Sequence, residues 1–232
     1  MNKKALALSF GLFLFLSCMN ASAQVEQVIS YTVTDEDLLV ESLDAWFASD
    51  DSDYGQTSAL VTVVANGSDP STHHLVINYP DFAAYQAAIE GVGKSDEFAK
   101  LERRISGIMT STGESVYVHA TDNGEPWKAG YYQYIVPVDV SGKGSVYIAA
   151  FNGLMNSEIG KKAPGEFKLV ENRAGGDSDY LVILSAPSLA ALNKYLDSYT
   201  DDNKDWQDFL SKVEGISAAM GSNFLQIVKV WK

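Results

Sequence analysis

The sequence predicts an α+β fold assembled from two copies of one β-α-β-β-α-β unit, and recurring apolar patterns predict it. Leu75-Val76-Ile77 returns as Leu181-Val182-Ile183, 106 residues later. Phe82, Tyr85 and Ile89 return as Leu189, Leu192 and Leu196 at an offset of 107, and Phe98, Leu101, Ile105 and Ile108 as Trp206, Phe209, Val213 and Ile216 at 108. The offset grows only between elements, where a loop absorbs an added residue. Strands that are apolar on both faces, such as Tyr180-Leu181-Val182-Ile183-Leu184, add a further constraint. A single antiparallel sheet with helices on one side leaves its other side wet and polar, so the sheet of each copy is expected to cover that of the other.

The elements follow in order. Ile29, Tyr31 and Val33 alternate with Ser30 and Thr32, as in a half-buried strand. Thr34 and Asp37 offer a capping-box start, and Leu39, Leu43, Trp46 and Phe47 share one face of the helix that follows. The acidic run Asp50-Asp51-Ser52-Asp53 ends that helix. Strands over 59–64 and 73–79 flank the turn-rich Asn66-Gly67-Ser68-Asp69-Pro70. The helical segment after Pro80 is expected to bend or break at Gly91 and Gly93. Val116, Val118 and Ala120 close the unit, and 121–129 form a linker around Asn123-Gly124-Glu125-Pro126.

In the second copy Tyr132, Tyr134 and Val136 fall on one strand face and Tyr131, Gln133 and Ile135 on the other. Its first helix is expected to bury Val146, Ala149, Ala150 and Leu154. Strands over 167–172, 180–186 and 224–231 complete it, with Pro137 placed near the end of its strand because proline cannot donate to a ladder. The division is therefore 1–23, a leader; 24–126, the first repeat; and 127–232, the second.

The leader reads as a secretory signal peptide: Lys3 and Lys4, an apolar stretch over 5–16, and the small-residue site Ala21-Ser22-Ala23. The apolar stretch is too short to span a bilayer. Cys18, the one cysteine, precedes the cut, so a chain starting at Gln24 holds no thiol and no disulfide. The alternative, a lipoprotein anchored through Cys18, has only the poor lipobox Phe15-Leu16-Ser17. An exported chain, periplasmic or extracellular, is expected. Cleavage removes two lysines and no acid, so the net charge moves from −13 to −15. Such a chain repels nucleic acid and anionic membrane surfaces.

The duplicated β-α-β-β-α-β order, with a strand such as Leu75-Val76-Ile77-Asn78-Tyr79 followed by Pro80-Asp81-Phe82 and then a helix over 97–105, resembles the dimeric α+β barrel superfamily. Its ferredoxin-like units include the antibiotic-biosynthesis-monooxygenase-like domains. The resemblance implies two units packed sheet to sheet, here as an intramolecular dimer, with pockets between sheet and helices. Members include cofactor-independent oxygenases, haem enzymes, isomerases and proteins of no known activity, so fold transfers better than chemistry. Haem-degrading members use a helix-borne histidine with pocket Asn and Trp. His73, His74 and His119 all fall in strands here, and Asn78 and Trp46 are the nearest matches, so the resemblance implies no haem and no cofactor.

Other chemistry is sparse. The sequence has no Gly-x-Ser-x-Gly elbow, no His-Glu-x-x-His and no phosphate loop. His119 and Asn78 are the catalytic candidates, His119 as a general base if it looks into a pocket. His73 and His74 point to opposite faces of a strand and read as a solvated strand start. Trp46, Tyr131, Tyr132 and Tyr134 are candidates for binding a flat ligand, beside Trp127. Asp51 and Asp53 suggest an oxygen-ligand loop, but Thr62 stands where an EF-hand needs its glutamate, so no metal is expected. Two functions remain: an exported non-catalytic module that binds a small apolar or aromatic ligand or a protein partner, or a cofactor-independent monooxygenase- or isomerase-like enzyme. Because His74, Asn78 and His119 stand against Tyr180, Leu184 and Ile227 or Val228 in the second copy, no polar site is shared by both, and the binding module is the first expectation.

Overall fold

The computed structural model describes residues 24–123 and 127–232. The leader, Cys18 and the exact boundary between the repeats lie outside the described residues. The first repeat contains β1 (Val25–Val33), α1 (Glu36–Phe47), β2 (Thr57–Ala65), β3 (His73–Tyr79), α2 (Phe82–Val92), α3 (Asp96–Ile105) and β4 (Met109–Asn123). The second contains β5 (Tyr132–Val140), α4 (Gly144–Met155), β6 (Phe167–Ala174), β7 (Tyr180–Ala186), α5 (Leu189–Leu196), α6 (Lys204–Val213), β8 (Ser217–Ala219) and β9 (Asn223–Trp231).

Each repeat forms its own four-stranded run, β4-β1-β3-β2 and β9-β5-β7-β6, and the runs join at both edges through antiparallel β2–β9 and β4–β6 pairs. The ring closes, so neither sheet keeps a free edge. Only β8 lies outside it, paired to β5. β4 runs unbroken for 15 residues, whereas its counterpart divides into β8 and β9 around Gly221, whose φ of 122° suits glycine alone.

Closure sorts side chains by strand alternation. Outward residues meet the helices and form two cores, one around Leu39, Leu43, Leu60, Leu75 and Leu101, the other around Tyr147, Phe151, Leu169, Leu192 and Phe209. Leu60, Leu169 and Leu192 are fully buried, each a contribution of about 1.5–3 kcal/mol. Inward residues such as Val61, Val76, Ile183 and Ile227 line the barrel's lumen.

Several local expectations shift. The repeat offset at the third strand is 107, not 106: Leu75 packs against the helices, but Leu181 faces the lumen and Val182 takes Leu75's role. A one-residue slip turns every side chain to the other face. Asp35, not Thr34, caps α1, accepting from Leu38 N at 3.0 Å. In α4 the buried face is Tyr147, Ala150, Phe151, Leu154 and Met155, with Val146 45% exposed. Two aromatics one turn apart have more surface to bury than Val146, and they set the rotation. Pro137 is not at the end of β5; it sits opposite the gap between β8 and β9, where its carbonyl accepts from Met220 N at 2.9 Å and an amide would have no regular ladder partner.

The histidine pair also departs from expectation, since neither ring is a solvated strand start. His73 Nε2 lies 2.7 Å from Glu36 Oε2 beneath the start of α1, and His74 Nδ1 lies 2.8 Å from Ser30 Oγ inside the barrel. The break between α2 and α3 occurs as expected after Val92, with Asp81 and Ser95 capping the two helices.

Neither repeat can shield its lumen face alone. Residues 24–123 and 127–232 expressed as separate fragments are expected to be unfolded, or to dimerise, by sedimentation and far-UV circular dichroism at low concentration. A monomeric folded fragment would contradict the mutual shielding.

Candidate functional site

At one end of the lumen the barrel carries charge where its alternation calls for apolar groups. Lys168 on β6 is fully buried between Phe167 and Leu169, and its Nζ lies 2.7 Å from Glu26 Oε2 on β1 and 3.3 Å from Glu166 Oε1. Glu26 is 2% exposed. The pair spans the two repeats, and Trp127 lies against it with Lys168 Nζ 5.0 Å from the ring.

His119 on β4 meets the far side of this pair. Its Nε2 lies 3.3 Å from Glu26 Oε2 and 3.2 Å from Asn78 Oδ1 on β3, and its Nδ1 lies 3.6 Å from Asp122 Oδ2. Strict alternation would turn Asp122 away from His119. A β-bulge does the opposite: β4 pairs His119 with Val170 but Thr121 with Leu169, so Ala120 is extra and Asp122 returns to the inner face. Thr121 points outward instead, its Oγ1 3.4 Å from Met155 sulfur. Glu166 is fixed by its backbone, N donating to Ser185 Oγ and O accepting from Ser185 N, both at 2.8 Å. That approach requires Gly165, because a Cβ there would fall 2.6 Å from Ser185 Oγ.

His119, Asn78, Asp122, Trp127 and Glu166 line a pocket of about 260 Å³ at the barrel's end. Three of the residues that line it each have a buried polar atom with no hydrogen-bond partner among the described residues: His119 Nδ1, Trp127 Nε1 and Glu166 Oε2. Buried polar atoms are normally paired, so three orphans on one pocket mark a place where a polar ligand or water completes the set.

The same crowding shifts the protonation equilibria. Burial opposes ionisation of Glu26, but the Lys168 charge and a hydrogen bond from His119 outweigh it and lower its pKa from 4.5 to about 2. Burial opposes the charged form of His119 as well, yet the neighbouring carboxylates of Asp122 and Glu26 bring its pKa above the usual histidine value. For Glu166 burial prevails over the attraction of Lys168, and its pKa rises. The pocket therefore combines a stabilised imidazolium, an indole N–H and a carboxyl that is a stronger base than an exposed glutamate.

The sequence candidates separate. The structure brings His119 and Asn78 together but not the aromatic four. Trp46 packs edge-on to Phe98 at 5.3 Å and lines a cavity of about 360 Å³ between sheet and helices of the first repeat. Tyr134, 5.0 Å from Phe224, lines the equivalent cavity of about 860 Å³ in the second, with Tyr132 packed on the same core. Tyr131 lies on the opposite face, with Lys128 Nζ 5.7 Å from its ring. Asp51 accepts from Ser95 Oγ at 2.6 Å and Asp53 from Gly55 N at 3.0 Å, both as parts of the loop. Sequence reasoning missed Glu26, Asp122, Glu166 and Lys168. Lys168 had a signal, a lysine at an inward position of the apolar run Phe167-Lys168-Leu169-Val170; the bulge that turns Asp122 had none.

No protein-family model and no curated protein sequence matches the chain. Solved structures do. Two proteins named "putative monooxygenase", from Fusobacterium nucleatum and Lactobacillus acidophilus, match 91% and 90% of this chain and 95% and 96% of their own, at TM-scores of 0.61 and 0.58 with 12% and 8% identity. An anthrone oxidase-like protein matches 91% of this chain and 93% of its own at 0.59 with 14% identity. The chain has the dimeric α+β barrel fold. A chlorite dismutase from Candidatus Nitrospira defluvii matches it too, over 91% of this chain and 93% of its own, at 0.53 with 10% identity. The dimeric α+β barrel here is a pseudo-dimer within one chain.

Among the described residues no histidine lines either helix–sheet cavity, and His73 is engaged by Glu36.

The Glu26 shift has a definite sign. A carboxyl whose folded pKa is lowered adds stability that is present above the unfolded value of 4.5 and lost as pH falls through about 2. Denaturant titrations are expected to show stability declining across that window, and Glu26→Gln to flatten the decline. An unchanged slope in the variant would contradict the assignment.

Proposed function

We infer that the protein is an enzyme of the cofactor-independent monooxygenase or isomerase type, acting on a small enolisable carbonyl compound in the end pocket. The observation that carries the reading is that His119, Trp127 and Glu166 line one cavity and each has a buried polar atom that makes no hydrogen bond among the described residues. The likeness to proteins named monooxygenase and anthrone oxidase-like supports it.

The residues divide the work. Glu166 accepts the proton from the carbon beside the carbonyl. The oxygen of the resulting enolate lies against Trp127 Nε1–H and the His119 imidazolium, donors already in place before charge develops. Asn78, Asp122 and Glu26 position the imidazole and keep it charged. Returning the proton to another carbon isomerises the compound. Alternatively, the electron-rich enolate reduces dioxygen; with anthrone, one dioxygen yields the quinone and one water, the substrate supplying all the electrons.

A non-catalytic binding module has less support, because a binding pocket alone has no need of a raised carboxyl pKa beside a stabilised imidazolium. Export is proposed on the leader, with its two lysines, apolar stretch and Ala21-Ser22-Ala23 site. Fractionation of expressing cells is expected to place a chain beginning at Gln24 outside the cytoplasm; a cytoplasmic chain retaining Met1 would contradict it.

Purified protein with anthrone in an oxygen electrode is expected to consume dioxygen and form quinone in equal amounts. Glu166→Gln and His119→Gln should each slow turnover by about 100-fold, with thermal melting confirming the fold. For the isomerase branch, deuterium exchange into an enolisable ketone is the readout. Full activity in both variants, or no exchange and no uptake with the native chain, would overturn the reading.

A further inference from the structure

The barrel's lumen is a second compartment, separate from the end pocket. It measures about 820 Å³ and is enclosed by strands of both repeats. Its floor is the Lys168–Glu26 pair with Trp127, which alone lines both compartments. Its walls combine the apolar Val28, Ala59, Val61 and Val76 with polar groups such as Ser30, His74 and Gln133, and several of these inward positions are small. An eight-stranded barrel can be filled by side chains or can hold one small ligand, and these residues leave it unfilled. Water fills the open, polar mouth readily, but it is a poor filling beside the apolar stretch of wall.

The mouth is polar and acidic. Asp69 and Asp177 line it, both exposed, together with Ser71 and Thr112, while the Glu114 carboxylate turns to the helix side of the sheet, where it accepts from Gln27 Nε2 at 2.7 Å. Lys168 is the one cation lining the lumen, and two carboxylates already surround it. His74 lies in the wall, and burial lowers its pKa, which favours the neutral ring. From the inward side chain of Ser30 near the mouth to that of Glu26 at the floor is four residues of β1, about 13 Å.

We propose that the lumen binds a slender amphiphile with an alkyl or similarly apolar body and an uncharged or cationic head, the body between the sheets and the head at the acidic mouth. An anionic head is disfavoured there by Asp69 and Asp177, with no cation beside them among the described residues that line the mouth. The apolar body displaces water that the walls hold weakly, and the head stays hydrated. This site does not depend on chemistry in the end pocket, and the two can fail separately.

The test uses the full chain with decanol, decyltrimethylammonium and decanoate competing against the neutral fluorophore N-phenyl-1-naphthylamine. Decanol and the cation are expected to displace it, and decanoate to be at least about tenfold weaker. Ala59→Phe and Val28→Phe, at two separate wall positions, should each abolish binding without loss of helical signal, so that one surviving variant suffices. A brominated decanol should quench tryptophan fluorescence in the native chain and markedly less in Trp127→Phe. Asp177→Lys should narrow the gap between decanoate and decanol. Equal binding of decanoate and decanol, binding that persists in a folded wall variant, or quenching unaffected by Trp127→Phe would each overturn the proposal. Loss of anthrone turnover in Glu166→Gln with unchanged decanol binding would show the two sites to be distinct.

Discussion

Lys168 brings a positive charge to the point where the two repeats meet and where no water reaches it, and the surrounding structure is built to tolerate it. Removing an ammonium group from water costs several kcal/mol before any partner is counted. Glu26 and Glu166 offset that cost from two directions, and the Trp127 ring takes part of the remaining field. The arrangement exists only if the barrel closes, because Glu26 belongs to the first repeat and Lys168 to the second. Closure in turn rests on the β4–β6 and β2–β9 edge pairs, which leave each sheet's inner face to the other.

The two junctions of the pseudo-dimer are not alike. In the ladder register, Glu26 corresponds to Gln133 and His119 to Ile227, so the buried ions of one seam give way at the other to a neutral amide and an apolar side chain, and the ion pair there, Lys229 with Asp44, is partly exposed. Buried ion pairs are weak contributors to stability, and the other seam of the duplicated fold closes without a buried charge at the equivalent positions. Buried charge kept at one seam is consistent with a functional site, and His119, Trp127 and Glu166, each with a buried polar atom that lacks a hydrogen bond, lie there. The helix–sheet cavities, by contrast, are lined mainly by the apolar and aromatic groups expected of such layers.

Much of the fold was legible in the sequence, because it depends on period. The duplicated stripe of Phe98, Leu101 and Ile105 with Trp206, Phe209 and Val213 reports helical faces that burial must respect, and two-faced strands such as 180–186 report a sheet covered on both sides. Register was legible only to within one residue. Leu75 and Leu181 look equivalent as letters, yet they point to opposite sides of the barrel wall. The site was half legible. His119 and Asn78 stand out as polar residues in apolar strands, but Asp122 reaches His119 only through a bulge, and Glu166 reaches Lys168 from a loop that Gly165 allows to pass close to Ser185. Neither bend leaves a periodic trace. The aromatic candidates do not form one group: Trp46 and Tyr134 line the helix–sheet cavities of different repeats, and Tyr131 packs against the inner face of the barrel.

The account stands most directly on the Lys168–Glu26 contact across the repeats, and a double-mutant cycle of Glu26→Gln, Lys168→Met and the pair, read by denaturant unfolding, measures it. Each single variant leaves a buried charge or polar group without its partner and is expected to lose about 3–5 kcal/mol. The double variant should lose clearly less than the sum of the two. Losses that simply add would show that the two side chains do not depend on each other, and would contradict the junction on which the barrel and its site are here argued to rest.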